Sequence, residues 1–222
     1  MCCVAVAQSW LNTRIACSEI ERQMSDEIWV DRVVDGLVEP GYVVIPQAFA
    51  PGLVAALRDE AQARRERFRP AGIGNQAMRA QAVRGDSIDW LEWGEGAPAV
   101  QPFWQAMEAL RDGINRQLYL GLRDLECHFA LYPQGGGYQK HYDNPQGRSA
   151  RLVTVLLYLN PDWRPEHGGQ LHIYDPQDET RELACVSPEE GTFVAFLSER
   201  FPHAVELARR ERLSLTGWWR RG

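Results

Sequence analysis

The residues of this chain with the clearest chemical potential are two histidines and one aspartate in its second half. His141 and Asp143 lie two positions apart, and His203 follows much later. In an extended strand, His141 and Asp143 would point to the same face and could reach one ion. Two imidazoles and one carboxylate leave positions open on an octahedral metal, which is typical of non-haem Fe(II) centres. A structural zinc site would usually have four protein ligands, often cysteines.

A polar strand near the end of the sequence strengthens this interpretation, because a histidine and an aspartate two apart are by themselves a weak signal. One predicted face of this strand carries Arg212, Ser214, Thr216 and Trp218, and the other carries Leu213, Leu215 and Gly217. If the polar face lines the metal pocket, Arg212 would bind a planar carboxylate through two parallel hydrogen bonds. A metal beside such a clamp predicts a site for 2-oxoglutarate. The alternative is that Arg212 forms an ordinary surface ion pair.

Longer motifs around these residues resemble the prolyl hydroxylases that modify hypoxia-inducible factor. The resemblance runs from about Gly41 to Trp219 and rests on Tyr132 to Gly147, Leu157 to Asn160, Asp162-Trp163, Gly168 to Leu171, Pro202 to Val205 and Arg212 to Trp218. Upstream, Arg84-Gly85-Asp86 followed by Trp90 is similar to the RGDxxxW segment of that family. The chain also resembles bacterial relatives of these enzymes, one group of which hydroxylates a proline of elongation factor Tu.

The resemblance implies a role for each residue of the metal and cofactor site. It implies that iron is bound by His141, Asp143 and His203. It implies that Arg212 binds the distal carboxylate of 2-oxoglutarate, with help from the hydroxyl groups of Tyr132, Tyr158 and Thr216.

On the substrate side, the resemblance implies that Asp86, Arg151, Val205 and Trp218 bind the peptide. It further implies that Asp86 pairs with Arg151 and that this pair orders a loop around the bound peptide. The chain departs from the animal enzymes in a tighter glycine turn after Tyr132 and in one extra residue between Asp143 and Arg151. These departures affect the choice of substrate more than the chemistry.

The implied activity is a dioxygenase that hydroxylates a prolyl residue of a protein, as a 4-hydroxylation, and releases succinate and carbon dioxide. Its cofactors would be Fe(II) and 2-oxoglutarate, with dioxygen as co-substrate and ascorbate as reductant, and elongation factor Tu is the candidate partner. Oxygen sensing is associated with the family, but the motifs alone do not predict it for this chain. Two alternatives stay open: an oxygenase of a free amino acid or another side chain, and a non-catalytic metal-binding jelly roll. The second alternative predicts metal binding without succinate formation.

Composition favours one globular enzyme domain in the cytoplasm. The chain has 222 residues, of which 45% are hydrophobic, and its 24 basic and 30 acidic residues give a net charge of −6. This balance argues against a dominant nucleic-acid or membrane surface. The five cysteines are irregularly spaced, which favours a reducing compartment. The expected oligomeric state is a monomer.

The predicted elements are helices first and strands later. Apolar spacing predicts helices from about Ile28 to Leu37, from Pro51 to about Arg67 and from about Ala99 to Tyr119, with a strand at Tyr42–Ile45. Short apolar runs from Glu126 onward predict the strands of a jelly roll. The expected fold is therefore α+β, a double-stranded β-helix (a cupin-like jelly roll) with supporting N-terminal helices.

Segments outside this core are also assigned from the sequence. Residues 1–24 are interpreted as an N-terminal extension, helical or disordered, and residues 25–222 as the single domain. A mobile substrate loop is expected at about residues 69–90, because Arg69 to Val83 have no sustained apolar period and adjoin Arg84-Gly85-Asp86. Cys127 and His128 are interpreted as core packing, and His167 and His172 as structural or solvent-facing residues.

Overall fold

The computed structural model describes residues 29–72, 84–147 and 149–222. The predicted extension at residues 1–24 lies outside these ranges. None of the helices within them is long and apolar enough to cross a membrane.

Three helices precede the main strands, as predicted. They are α1 at residues 29–38, α2 at Pro51–Ala63 and α3 at Gln101–Leu118. Pro51 occupies the first turn of α2, where a missing backbone N–H costs nothing. This helix is shorter than predicted, because a 3₁₀ turn at Arg65–Arg67 replaces its expected last turn.

Eleven strands are found in the described ranges. They are β1 (Tyr42–Ile45), β2 (Arg69–Pro70), β3 (Ser87–Trp90), β4 (Leu122–Tyr132), β5 (Tyr138–His141), β6 (Arg151–Tyr158), β7 (Leu171–Tyr174), β8 (Glu182–Val186), β9 (Phe193–Leu197), β10 (His203–Val205) and β11 (Arg212–Arg221). The boundaries of β1 agree with the prediction.

The strands form two antiparallel sheets. The larger sheet has the order β1-β9-β6-β11-β4-β3-β2, and the smaller has the order β5-β10-β7-β8. Two packed antiparallel sheets with helices against the larger one make the predicted double-stranded β-helix. The expected α+β fold class is therefore confirmed.

Alternation along the strands divides the core into two layers. In β4, Cys127 and Phe129 face a cluster that contains the helices, whereas Ala130 and Tyr132 face the space between the two sheets. The same division separates Leu213 and Leu215 from the polar residues of β11. Because successive side chains of a strand point to opposite faces, one face of each central strand supports the fold and the other lines the interior.

The helices need one close contact to cover the larger sheet. Gly113 lies in the middle of α3, where a Cβ atom would come within 2.2 Å of Cγ1 of Val30 on α1. A glycine in a helix interior costs about 1 kcal/mol relative to alanine. Here it lets the two helices approach each other.

The stretch expected to be a mobile loop is in part regular structure. β2 pairs with β3, and β3 pairs with β4 of the larger sheet from Ser87↔Leu131 to Trp90↔His128. The prediction of a loop over about residues 69–90 is thus wrong at both ends, because backbone pairing with a distant strand supplies order that apolar periodicity does not show. Residues 73–83 of that stretch lie outside the described ranges.

Candidate active site

The three predicted metal ligands lie together at one end of the smaller sheet. His141 ends β5 and His203 begins β10, and the two are directly opposite each other in the antiparallel pair. Nε2 of His141 lies 3.7 Å from Oδ1 of Asp143, and Nε2 of His203 lies 3.5 Å from Oδ2. One donor atom from each residue falls within 4.8 Å of the others. The prediction that these residues converge is confirmed.

Hydrogen bonds to the backbone fix both imidazoles. Nδ1 of His141 lies 2.8 Å from the carbonyl oxygen of Gln139, and Nδ1 of His203 lies 3.1 Å from that of Phe201. A carbonyl can only accept, so each Nδ1 donates, and in the neutral form of each ring the lone pair is on Nε2. This tautomer is the one that a metal ligand requires.

A buried hydroxyl pair orients the carboxylate. Oγ1 of Thr154 donates a hydrogen bond of 2.8 Å to Oδ2 of Asp143, and Oγ of Ser198 lies 2.8 Å from the same Oγ1. Because the Thr154 hydroxyl donates to the carboxylate, it accepts from Ser198. Thr154 and Ser198 are 1% and 0% exposed, so water does not compete for these bonds.

The charges at the site suit a cation. Burial alone would raise the pKa of Asp143, but the imidazoles of His203 and His141 hold it well below its ordinary value. Burial lowers the pKa of His203 to about 4, against the opposing effect of Asp143. At neutral pH the site therefore presents a negative Asp143 carboxylate and a neutral His203 imidazole, the protonation states that bind a divalent metal.

Deeper in the same pocket lies a buried positive group. Arg212 is 1% exposed, and its Nε donates a hydrogen bond of 2.9 Å to the carbonyl oxygen of Gly169. The rings of Tyr132 and Tyr158 flank its guanidinium carbon at 4.9 and 5.0 Å. Its Nη2 and the hydroxyl of Tyr158 are buried without a hydrogen-bond partner in the described structure. Two unpaired polar groups so deep in a protein fit an anionic ligand with two oxygens.

Of the other predicted cofactor residues, Tyr132 and Thr216 line the same pocket, whereas Tyr158 lies beside Arg212 and is not among the lining residues. Oγ1 of Thr216 lies 3.4 Å from Oγ of Ser214. Burial raises the pKa of Tyr158, and the neighbouring Arg212 opposes that rise. The phenol is therefore neutral at pH 7 and can donate a hydrogen bond to a carboxylate.

Three of the four predicted substrate residues line the pocket, whereas Arg151 is not among the lining residues and its expected contact is wrong. Asp86 does not pair with Arg151 in this structure, because Arg84 takes both of its oxygens at 2.6 and 2.9 Å. Arg151 instead binds Glu126 and lies over the ring of Trp218, with its guanidinium carbon 3.7 Å from the ring centroid. Trp218 and Val205 line the pocket, as predicted, and Asp86 lines it as well.

His128 is a pocket residue that the sequence interpretation missed. It was assigned to core packing together with Cys127, yet only Cys127 belongs to the hydrophobic core. His128 is 1% exposed and its ring lies between those of Trp90 and Trp218, at 4.9 and 5.3 Å. Burial, Arg84 and Arg151 lower its pKa to about 3. Its place on the same face of β4 as Tyr132 was the available signal.

Thr154 and Ser198 were also absent from the predicted site. A polar Thr154 inside the apolar run of β6 was a weak signal, because a threonine is common in a strand. No feature of the sequence indicated that Ser198 would reach it.

Comparison with known proteins agrees with this geometry. The pattern of the 2OG-Fe(II) oxygenase superfamily matches residues 127–220, which contain all three metal ligands and Arg212. A solved prolyl-4-hydroxylase from Pseudomonas putida is 42% identical, with a TM-score of 0.78, and the alignment covers 87% of this chain and 99% of that one. The chain belongs to the 2OG-Fe(II) oxygenase superfamily. The predicted Fe(II), 2-oxoglutarate and dioxygen are the cofactors and co-substrate of this family.

Within the superfamily, the chain is homologous to prolyl hydroxylases. A prolyl hydroxylase from Trichoplax adhaerens, solved in complex with a peptide fragment of the hypoxia-inducible factor oxygen degradation domain, is 28% identical, with a TM-score of 0.79. That alignment covers 90% of this chain and 92% of the other. Human Egl nine homolog 1 is 32% identical over 153 residues, or 66% of this chain and 35% of the relative. Human prolyl hydroxylase EGLN3 is 32% identical over 143 residues, or 62% of this chain and 59% of the relative. The chain thus spans between about a third and three fifths of the length of these curated relatives.

Proposed function

We propose that this protein hydroxylates a prolyl residue of a protein substrate in a reaction that depends on Fe(II) and 2-oxoglutarate. The observation that carries the proposal is the presence, in one pocket, of an open three-ligand face and a buried guanidinium with an unpaired Nη2. Bound iron and 2-oxoglutarate would supply the oxidative chemistry, with succinate and carbon dioxide as the other products.

The residues of the chain would hold and orient these groups. His141, Asp143 and His203 present one donor atom each to the metal. Arg212 and Tyr158 offer the two unpaired donors to the distal carboxylate of 2-oxoglutarate. Because both donors are already buried before the ligand binds, little ordering of side chains opposes binding.

The mouth of the pocket supports a polypeptide substrate. Trp218 forms one wall, and Arg151 covers it with a charged group that is held by Glu126. Asp86 and Val205 form further parts of the lining. Aromatic and aliphatic walls fit a proline ring, and the charged groups at the mouth fit the polar backbone on either side of it.

We further propose elongation factor Tu as the substrate, hydroxylated at the C4 position of a proline. Two findings favour a prolyl residue in a protein over a free amino acid. The chain covers nearly all of a bacterial prolyl-4-hydroxylase, and it is similar to a prolyl hydroxylase that was solved with a bound peptide. Resemblance to bacterial enzymes that modify elongation factor Tu favours this factor over other proteins. The proposed location is the cytoplasm and the proposed state is a monomer.

The test is mass spectrometry of the factor after incubation with the protein. The protein is loaded with Fe(II) and 2-oxoglutarate without oxygen, and air, ascorbate and elongation factor Tu are then added. We expect one added oxygen on a proline and an equal amount of succinate. The His141→Ala variant should give neither product, whereas His167→Ala, which changes an imidazole outside the site, should give both.

Two results would change the proposal in different ways. If the factor is unmodified but other prolyl peptides are hydroxylated, elongation factor Tu is the wrong substrate. If no prolyl peptide is hydroxylated, the assignment as a prolyl hydroxylase is wrong.

A further inference from the structure

A second group of metal-type ligands lies on the outer face of the smaller sheet. His172 of β7 is directly opposite Cys185 of β8, and Tyr174 is opposite Glu182. A register irregularity lies between these two pairs. Such a bulge re-aims a side chain, and here Oε2 of Glu182 lies 2.5 Å from Nδ1 of His172. Sequence interpretation treated His172 as structural or solvent-facing, because the strand pairing that brings Cys185 and Glu182 to it is not local.

The three side chains offer an imidazole nitrogen, a thiol sulfur and a carboxylate oxygen. One donor atom from each lies within 4.8 Å of the others. Zinc binds these atom types at about 2.0–2.3 Å, which brings donors of one ion to within about 4 Å of each other. Small side-chain rotations would therefore be enough to close the group around an ion.

The backbone beneath this group is firmly held. Leu171, Ile173 and Val186 of the same two strands are buried on the inner face, in the core layer between the two sheets. β7 also pairs with β10, so that Ala204 lies opposite His172. A ligand set on paired and buried strands keeps its spacing better than one on a loop.

The local charge favours a cation. The carboxylates of Glu182 and Glu206 lie near the Cys185 thiol and make the potential there negative. A divalent ion would offset this negative potential and bind the thiol in its deprotonated form, as metals do. The side chain of His172 is 21% exposed and that of Glu182 is 43% exposed, so an ion can enter from solvent and keep a water ligand.

The ligand types separate this group from the iron centre. The pocket between the sheets offers two imidazoles and a carboxylate but no thiol. A thiolate selects softer ions, and zinc binds mixed nitrogen, oxygen and sulfur sites more tightly than Fe(II) does. The two sites are therefore expected to prefer different metals.

We propose that His172, Glu182 and Cys185 form a second metal site that binds zinc or a similar borderline divalent ion and joins β7 to β8. This inference goes beyond the proposed oxygenase function and does not depend on it.

Cobalt(II) titration of the reduced full chain tests the proposal, because a thiolate bound to cobalt gives an intense charge-transfer band in the near ultraviolet. Cobalt in the iron centre gives no such band, since that centre has no sulfur ligand. Because cobalt can occupy both centres, we expect the band to be complete by two equivalents of cobalt and to be removed by excess zinc. The Cys185→Ser variant should lack the band, and His172→Ala should weaken cobalt binding at least tenfold.

The matched control is His167→Ala, which changes another histidine near the turn before β7 and should keep both the band and the affinity. Circular dichroism and iron binding check that Cys185→Ser is folded. Absence of the band in the wild-type protein at saturating cobalt, or its persistence in folded Cys185→Ser, would overturn the site. Neither result bears on prolyl hydroxylation, because the assay involves no turnover.

Discussion

The Tyr158→Phe substitution should affect cofactor binding and protein stability in opposite directions. Tyr158 is fully buried, and its hydroxyl lacks a hydrogen-bond partner in the described structure. The change removes one oxygen atom and keeps the ring that packs beside Arg212. It therefore isolates the contribution of the hydroxyl.

The expected loss in affinity follows from the charge of the ligand. A hydrogen bond to a charged group contributes about 1.5–3 kcal/mol, and about 1.4 kcal/mol corresponds to a factor of ten. We expect the dissociation constant for 2-oxoglutarate to rise by roughly 10- to 150-fold. Isothermal titration calorimetry of 2-oxoglutarate into anaerobic Fe(II)-loaded protein measures this constant.

Without the cofactor, the same variant should be at least as stable as the wild type. An unpaired buried hydroxyl costs about 1–3 kcal/mol, so its removal should leave the free energy of unfolding unchanged or raise it by up to that amount. Urea unfolding of the metal-free protein measures the difference. A loss of stability would show that the hydroxyl has a partner in the free protein.

Tyr42→Phe is the matched control. The Tyr42 hydroxyl donates a hydrogen bond of 3.3 Å to the carbonyl oxygen of Leu183, away from the pocket. Its removal should lower the free energy of unfolding by about 0.5–1.5 kcal/mol and leave 2-oxoglutarate affinity unchanged. If Tyr158→Phe binds 2-oxoglutarate as tightly as Tyr42→Phe does, the proposed role of Tyr158 is refuted.

Three further predictions concern the groups that support the pocket. Thr154→Val keeps the volume but removes the hydroxyl that orients Asp143, so Fe(II) affinity in a competition titration should fall by about 10- to 100-fold; an unchanged affinity would contradict that role. Arg84→Met leaves the buried carboxylate of Asp86 without its partner and should lower the free energy of unfolding by about 3–5 kcal/mol. The double variant that also carries Asp86→Leu should regain most of this lost stability. An equal loss of stability in the single and double variants would argue against the ion pair. His128 has a pKa lowered from 6.5 to about 3, so the unfolded chain binds more protons below about pH 6.5 and stability falls on acidification. Between about pH 7 and about pH 4.5, the free energy of unfolding measured in urea should therefore fall by about 2–3 kcal/mol less in His128→Gln than in the wild type. Equal falls in the two proteins would show that His128 does not titrate in this way.

Patterns with a short repeat were predictable from the sequence. The alternation of β11 separates Arg212 and Thr216 from Leu213 and Leu215, and the structure confirms that division. The prediction for β11 succeeds because the geometry of a strand fixes where neighbouring side chains point. His141 and Asp143 also lie close together as predicted, although β5 ends at His141 and Asp143 lies in the bend just beyond it, so strand alternation is not the reason.

The partners of the site residues could not be predicted in the same way. Asp86 is bound by Arg84 and not by Arg151, and Arg151 is held by Glu126 across the sheet. The choice among nearby ions depends on which strands lie side by side, and a single sequence does not show this. A resemblance to other proteins names the residues but does not fix their partners in this chain.

The sequence by itself therefore determined the chemical types in this protein: the metal donors, the guanidinium of the predicted clamp and the apolar faces that make an α+β jelly roll. Only the tertiary structure decided that Thr154 and Ser198 support Asp143 and that Cys185 lies opposite His172. The physical reason is the separation along the chain of the residues that decide each feature. Side-chain direction is set within a few residues, whereas each of these contacts depends on the register between strands that are far apart in the chain.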